Sequence, residues 1–402
     1  MQKVSFIFYF LTITFCFPQQ TIVELNKAPY SDFILDGIIS DSEIDNAKTI
    51  DIVYEHEPGY NTTPSYETKT YLKYTDTYLY VGFRAYRDEV KADIHPRDNF
   101  SLFEDDFANI HLDTYGDARN NIGLTSNLFG SQADGIRIDT NDWTRGNGSG
   151  WSLDANFEYQ SLGRYTDFGY EVEFIIPFSS IPFPMGKVQR WKIKLSTYYR
   201  DNTKQGVTAQ VFSSKLDRDN SCMLCQNNHT IVMSDIKVDR VFNLLPYVGT
   251  NIIGNREKYY DRVNYETPKV NYGLGINLDL NKNLSIEGTI NPDFSQVEAD
   301  VTKIDINSPT AINYPEKRPF FNRGIDLFNY SLDVFYTRSI NNPSFASKIL
   351  NQGKKSRLYV LSAVDKNSPY LVPTHYESFS GVGGKSFNNV ILSLIHISEP
   401  TR

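Results

Sequence analysis

Between Val270 and Ile290 the chain changes polarity at every residue. Val270, Tyr272, Leu274, Ile276, Leu278 and Leu280 alternate with Asn271, Gly273, Gly275, Asn277 and Asp279. After Asn281-Lys282-Asn283 the alternation resumes, with Leu284, Ile286, Gly288 and Ile290 set against Ser285, Glu287 and Thr289. A period of two puts successive side chains on opposite faces of a strand, so this stretch predicts a hairpin of 270–280 with 284–290. One face is apolar and the other small and polar. Both a half-buried soluble sheet and a membrane β-barrel use that pattern. The first strand also has the length a bilayer requires, about 9–11 tilted residues.

The remaining text is also β-like. From Thr21 to about Asp235, short β-rich runs are broken by Asn, Asp, Gly and Pro clusters, with no sustained helical period. A hairpin is expected from Thr68–Tyr74 and Tyr78–Tyr86, and further strands at 107–113, 136–139, 153–160, 169–176 and 191–199. Strands at this spacing predict a β-sandwich over 20–235. A second region, 236–391, adds candidate strands at 332–339, 357–364 and 379–387. Only about half a dozen strands fit there, fewer than the eight of a small closed barrel. The expected architecture is therefore all-β: an N-terminal sandwich followed by the first strands of an antiparallel outer-membrane-type barrel, cut short. A length of 402 residues suits two domains. The mean hydropathy of −0.41 argues against a bundle of membrane helices, but alternating strands average to a hydrophilic score and escape that exclusion. With 48 acidic against 40 basic residues and a net charge of −8, no nucleic-acid partner is expected.

Both ends of the chain read as special. Lys3, the apolar run Val4–Phe17 and the polar exit Pro18-Gln19-Gln20 form a secretory signal peptide over 1–19, which implies export. Lipid attachment at Cys16 would want a small residue before it, and Phe15 stands there. Leu392–Arg402 back-translates to a transposon adapter of the kind used in sequencing libraries, so these residues are expected to lie outside the natural protein. Cys222 and Cys225 form a Cys-x-x-Cys pair for which a local disulfide is expected in an exported chain. A zinc site lacks a second ligand pair, and a redox motif lacks its βαβ setting.

Several motifs then fall together. Leu35-Asp36-Gly37 with Asp41 and Ala47 resembles the opening of family 9 carbohydrate-binding modules, with Ile44 where that family usually has Trp. Glu104-Asp105-Asp106-Phe107, Leu112-Asp113-Thr114-Tyr115, Asp117-Ala118-Arg119-Asn120, Ala133-Asp134-Gly135, Gly169–Glu173, Ile176-Pro177-Phe178 and Phe183-Pro184 resemble the version of that module fused to an uncharacterised family of bacterial envelope proteins with a C-terminal barrel. Asn291–Asp300 and Tyr314–Phe321 are similar to that fused family's most specific motifs. The matches run from about Phe33 to Ser339. The resemblance implies a secreted sandwich with a sugar-binding face, mounted on a barrel in the outer membrane, with carbohydrate and membrane lipid as partners.

Sugar binding needs flat aromatic faces and planar polar groups. Trp143 and Trp151 flank the loop 144–150, with Arg137, Arg145 and Asn147 as nearby donors, although Trp151 equally suits the sandwich core. Trp191 is expected in the core. Calcium is an alternative use of Asp105 and Asp106, next to Glu104, and of Asp139 to Asp142, since exported sandwiches order loops with oxygen ligands. No other cofactor is indicated. Glycoside hydrolysis would need two carboxylates about 5–9.5 Å apart. Glu298 and Glu316, with Asp293 and Asp300, are the candidates, and the same residues with Lys317 and Arg318 equally suit a charged network inside a barrel. No Gly-x-Ser-x-Gly elbow, His-Glu-x-x-His pair or phosphate loop is present. The preferred reading is a non-catalytic carbohydrate-binding envelope protein; a glycoside hydrolase and a structural envelope protein are the alternatives.

Overall fold

The computed structural model describes residues 21–118, 120–138, 151–152, 155–184, 186–220, 222–237, 241–252, 254–256, 262–281, 283–292, 318–322, 324, 337, 340, 342–353, 356–368 and 384–395. The N-terminal part holds β1 (Thr21–Glu24), α1 (Asp41–Ile44), β2 (Tyr54–Glu57), β3 (Thr68–Tyr74), β4 (Tyr78–Tyr86), β5 (Phe107–Asp113), β6 (Asn120–Asn127) and β7 (Gln132–Ile138). It continues with β8 (Trp151–Ser152), β9 (Gln160–Thr166), β10 (Gly169–Pro177), β11 (Val188–Asp201), β12 (Val207–Phe212) and β13 (His229–Ser234). The larger sheet runs β1-β13-β11-β5-β6-β7-β8, with β12 on the far half of β11 and β2 on β12. The smaller sheet runs β3-β4-β10-β9.

The two sheets close on each other through every second residue. Leu79, Val81 and Phe83 with Val172 and Phe174 of the smaller sheet meet Ile110, Leu112, Trp191, Ile193 and Leu195 of the larger one. This is the alternation of a two-sheet sandwich. Trp191 lies at 0 % exposure in this core, edge-on to Phe178.

The segment that opens the family 9 resemblance packs on the back of the smaller sheet. Phe33 lies against Tyr78 and Tyr80, and Glu173 accepts the backbone N–H groups of Asp36 and Gly37. Glu171 accepts from Ile39, and Ser40 with Glu43 forms a capping box at α1. Gly37 has φ +84°, and a Cβ there would stand 2.8 Å from the backbone of Gly163, so glycine is needed for both reasons.

The expected strand at 153–160 is replaced by irregular chain over 155–159, followed by β9. Side chains satisfy the backbone here in place of a ladder: Phe157 donates its N–H to Asp134 and its carbonyl accepts from Arg97. The hairpins at 68–86 and 269–290 and the strand at 107–113 form at the expected places.

The C-terminal part holds β14 (Val241–Asn251), β15 (Gly254–Asn255), β16 (Asn264–Tyr265), β17 (Lys269–Asn281), β18 (Leu284–Ile290), α2 (Pro319–Asn322), β19 (Pro343–Gln352), β20 (Ser356–Ser368) and β21 (Gly384–Ile395). Six of these strands form one antiparallel sheet, β14-β17-β18-β19-β20-β21. Among the described residues the sheet is open; no closed barrel is found. β14 and β19 were not among the expected strands, and the expected strand at 332–339 lies outside the described residues. The strand expected at 379–387 begins at Gly384 and continues through Ile391 to Ile395.

Register puts Leu244, Ile276, Leu278, Ile286, Ile290, Phe345, Ile349 and Val360 on one face of this sheet. That face is most exposed at the β14–β17 edge, with Val248 at 78 % and Tyr272 at 73 %. The opposite face buries Ser285, Glu287, Thr289, Lys348, Arg357 and Asp365. Lys348 pairs with Glu287 at 2.9 Å and donates to the carbonyl of Phe320. From α2, Phe321 packs against this face with Leu350 and Tyr359. Arg318 donates to the carbonyls of Ile340 and Thr337.

Candidate functional site on the outer face of the larger sheet

Alternation in β11 puts Trp191, Ile193 and Leu195 into the core and so turns Lys192, Lys194, Ser196 and Tyr198 to the outer face. Pairing with β5 sets Lys194 opposite His111, Ser196 opposite Asn109 and Tyr198 opposite Phe107. The row continues across β6 and β7, where Asn121 lies opposite Arg137, and Arg137 is opposite Trp151 in β8. On the other side Ser196 is opposite Phe212 of β12.

The face has an aromatic end and a polar end. Tyr198 stacks on Phe107 at 4.5 Å and meets Phe212 edge-on at 5.9 Å. The Lys194 Nζ lies 5.2 Å from the centre of the Phe212 ring. His111 Nε2 lies 3.2 Å from the Ser196 hydroxyl. Asn121 is 1 % exposed and Asn109 7 %, yet neither amide atom of Asn121 has a partner, nor does the Asn109 carbonyl oxygen. Such groups have given up water without a protein bond in return, at a cost of roughly 1–3 kcal/mol each.

The cations of this face act on one another. Burial first, then the nearby Arg137 guanidinium, pushes the Lys194 ammonium down to about 7. Burial, with Lys194 and Arg137 behind it, holds the His111 imidazole well below its ordinary value. Burial pushes the Tyr198 phenol up to about 12.

Arg137 is the sugar-binding candidate the structure brings to this face. Trp143, Arg145 and Asn147 lie outside the described residues, and for Trp151 only the backbone is described. Asp293, Glu298, Asp300 and Glu316 also lie outside them. Asn109, His111, Asn121, Lys194 and Ser196 were missed in the sequence. Their signal was polar residues at alternate positions of strands whose other positions are mostly apolar.

The carboxylates considered for calcium have another use. Asp105 Oδ2 accepts from the Asp93 N–H, His95 Nε2 and Asn127 Nδ2, so this one oxygen ties the 93–95 loop to β6. Asp106 accepts from the Arg200 N–H, and burial raises it to about 6. Among the described residues no three His, Cys, Asp or Glu side chains form a group able to hold a metal ion. Cys222 and Cys225 are joined by a disulfide with their Cα atoms 5.4 Å apart.

Residues 240–360 match a domain of unknown function, DUF5916. The DUF5916 region covers β14 to β19 and the start of β20, the sheet with the exposed apolar face. No curated protein matches the chain. Among solved structures it is similar to a family 9 carbohydrate-binding module from Caldicellulosiruptor kristjanssonii in complex with cellotriose, at 16 % identity and a TM-score of 0.36, over 55 % of this chain and 96 % of that one. The glucose complex of a family 9 module from the same organism matches at 16 % identity and a TM-score of 0.35, over 52 % and 94 %. A putative carbohydrate-binding protein from Bacteroides uniformis matches at 12 % identity and a TM-score of 0.39, over 53 % and 99 %.

Proposed function

We propose that this chain is a non-catalytic carbohydrate-binding protein of the cell envelope. It takes its ligand on the outer face of the larger sheet, and the sheet of β14 and β17–β21 holds it in the outer membrane. The observation that carries the first part is Asn121, a buried amide without a partner for either polar atom. It shares a face with Asn109, Ser196 and the rings of Phe107, Tyr198 and Phe212, of which Ser196, Asn109, Phe107 and Phe212 are themselves buried. Amides answer hydroxyls, and rings answer the apolar side of a pyranose. The second part is supported by the exposed apolar face of the C-terminal sheet and by the Lys348–Glu287 pair buried on its other face, beside the apolar cluster of Leu350, Tyr359 and Leu361.

Titration calorimetry of the full chain in detergent, against a panel of oligosaccharides, tests the binding reading. One or more are expected to bind with Kd at or below the millimolar range. Asn121→Ala is expected to weaken that binding about fivefold or more, one lost hydrogen bond to a ligand. No binding by any member of the panel at millimolar concentration overturns the reading.

A further inference from the structure

Lys194 carries an inference about which sugar this face accepts. It sits mid-strand at 3 % exposure, where a cation is almost always paired. Among the described residues its side chain makes one contact of charge, over the Phe212 ring, and no ion pair or hydrogen bond. Its neighbour across the strand is His111, and the charge whose field reaches it is Arg137, of the same sign. Two carboxylates stand in register on this face: Asp113, opposite Lys192, whose oxygens accept the N–H groups of Gly116 and Ala118, and Glu57, opposite Gln210 at the Tyr198 end, whose charge reaches Tyr198 and is not among those acting on Lys194. A neutral sugar placed here would leave the ammonium buried and uncompensated.

Resting on the sugar-binding reading above, we infer that the ligand of this face is an acidic sugar, whose carboxylate docks against the Lys194 ammonium while the Asn109 and Asn121 amides hold its hydroxyls. One monovalent anion offsets one buried ammonium, and the charge-assisted hydrogen bond between them is the strong kind. The lowered Lys194 ammonium agrees with this: a group forced toward neutrality by burial regains its proton when a counter-charge arrives.

Calorimetry on the full chain in detergent at pH 6 tests it, with cellobiuronic acid, cellobiose and acetate as ligands. The acidic disaccharide is expected to bind at least about tenfold more tightly than the neutral one, with a preference that shrinks as salt is added. Lys194→Met is expected to abolish the preference and Lys194→Arg to keep most of it. Equal or tighter binding of cellobiose by the native chain overturns the inference and leaves the sugar-binding reading standing. A preference surviving in a folded Lys194→Met chain overturns it too. Acetate binding as tightly as cellobiuronic acid makes this a simple anion site and overturns it. If neither disaccharide binds, and the wider panel is also silent, the sugar-binding reading falls and this inference with it. Should Lys194→Met fail to fold, the ligand and salt comparisons on the native chain still decide.

Discussion

The two halves of this protein are written in the same alternating pattern and use it in opposite senses. In the sandwich, the apolar half of each strand is sealed between two sheets, with Val81, Phe83, Val172, Phe174, Ile193 and Leu195 at 0 % exposure. In the C-terminal sheet, Phe242, Val248, Val270 and Tyr272 stand at 61 to 78 % exposure, while Lys348, Arg357 and Asp365 are buried. A soluble sheet hides its apolar face against a partner layer, whereas a membrane wall hides its polar face and shows the other to lipid. Period alone therefore fixes which residues share a face but leaves open which face meets which solvent.

The largest expected effect lies in the sandwich. Trp191→Ala removes the most voluminous fully buried side chain and leaves a cavity beside Phe178 and Phe183. It is expected to cost about 3–5 kcal/mol, read by urea denaturation with near-ultraviolet circular dichroism. A loss under about 1 kcal/mol would mean that this layer is not a packed core.

Next comes the substitution that most directly sets the two regions against each other. Ile276 lies near the middle of β17, opposite Leu244 and Gly288. If this face meets lipid, Ile276→Arg costs about 2–4 kcal/mol when folding is followed into phospholipid vesicles. If it meets water, the change stays within about 0.5 kcal/mol, and the membrane reading of the sheet is lost.

A smaller effect concerns pH. Glu173 is buried with Glu43 nearby, and burial, followed by the Glu43 charge, raises its carboxyl to about 8 from an ordinary value of 4.5. A raised acid binds its proton more tightly when folded than when unfolded. Its contribution to stability is therefore full below pH 4.5 and is lost as pH rises towards 8. Glu173→Gln keeps an acceptor for Gly37 and should flatten this part of the profile. Melting temperatures at pH 5 and pH 8.5 check it: the native chain is expected to lose more between the two than the variant.

The smallest effect expected is that of Cys225→Ser. The Cys222–Cys225 bridge closes a very short loop, so its removal should cost at most about 2 kcal/mol and leave sugar affinity unchanged. The same urea titration reads it. A collapse of the whole sandwich would give the bridge a larger part than its place at a surface loop implies.

Much of the fold was legible because a strand's period depends only on local chain geometry. Phe107–Asp113, the 68–86 hairpin and the 269–290 hairpin stand where the alternation put them. The strand expected at 153–160 failed because its backbone partners are Asp134 and Arg97, remote in sequence. β14 carries Phe242, Leu244 and Val248 at alternate positions with Pro246 among them, a residue that ordinarily interrupts a strand. It is tolerated at a sheet edge, where one row of backbone groups needs no partner.

The site was less legible than the fold. Tryptophan and glycine advertise a sugar loop, which points to Trp143 and Trp151. Asn109, His111, Asn121 and Lys194 are spread over three strands, and each alone looks like a solvated strand residue. Sequence by itself determined the all-β class and which residues share a face, since both follow from residue type and a two-residue repeat. Only the tertiary structure decided which face is buried and that Lys194 lies there without a counter-charge among the described residues. Burial and unpaired charge are properties of what the rest of the chain brings near, and no local pattern contains them.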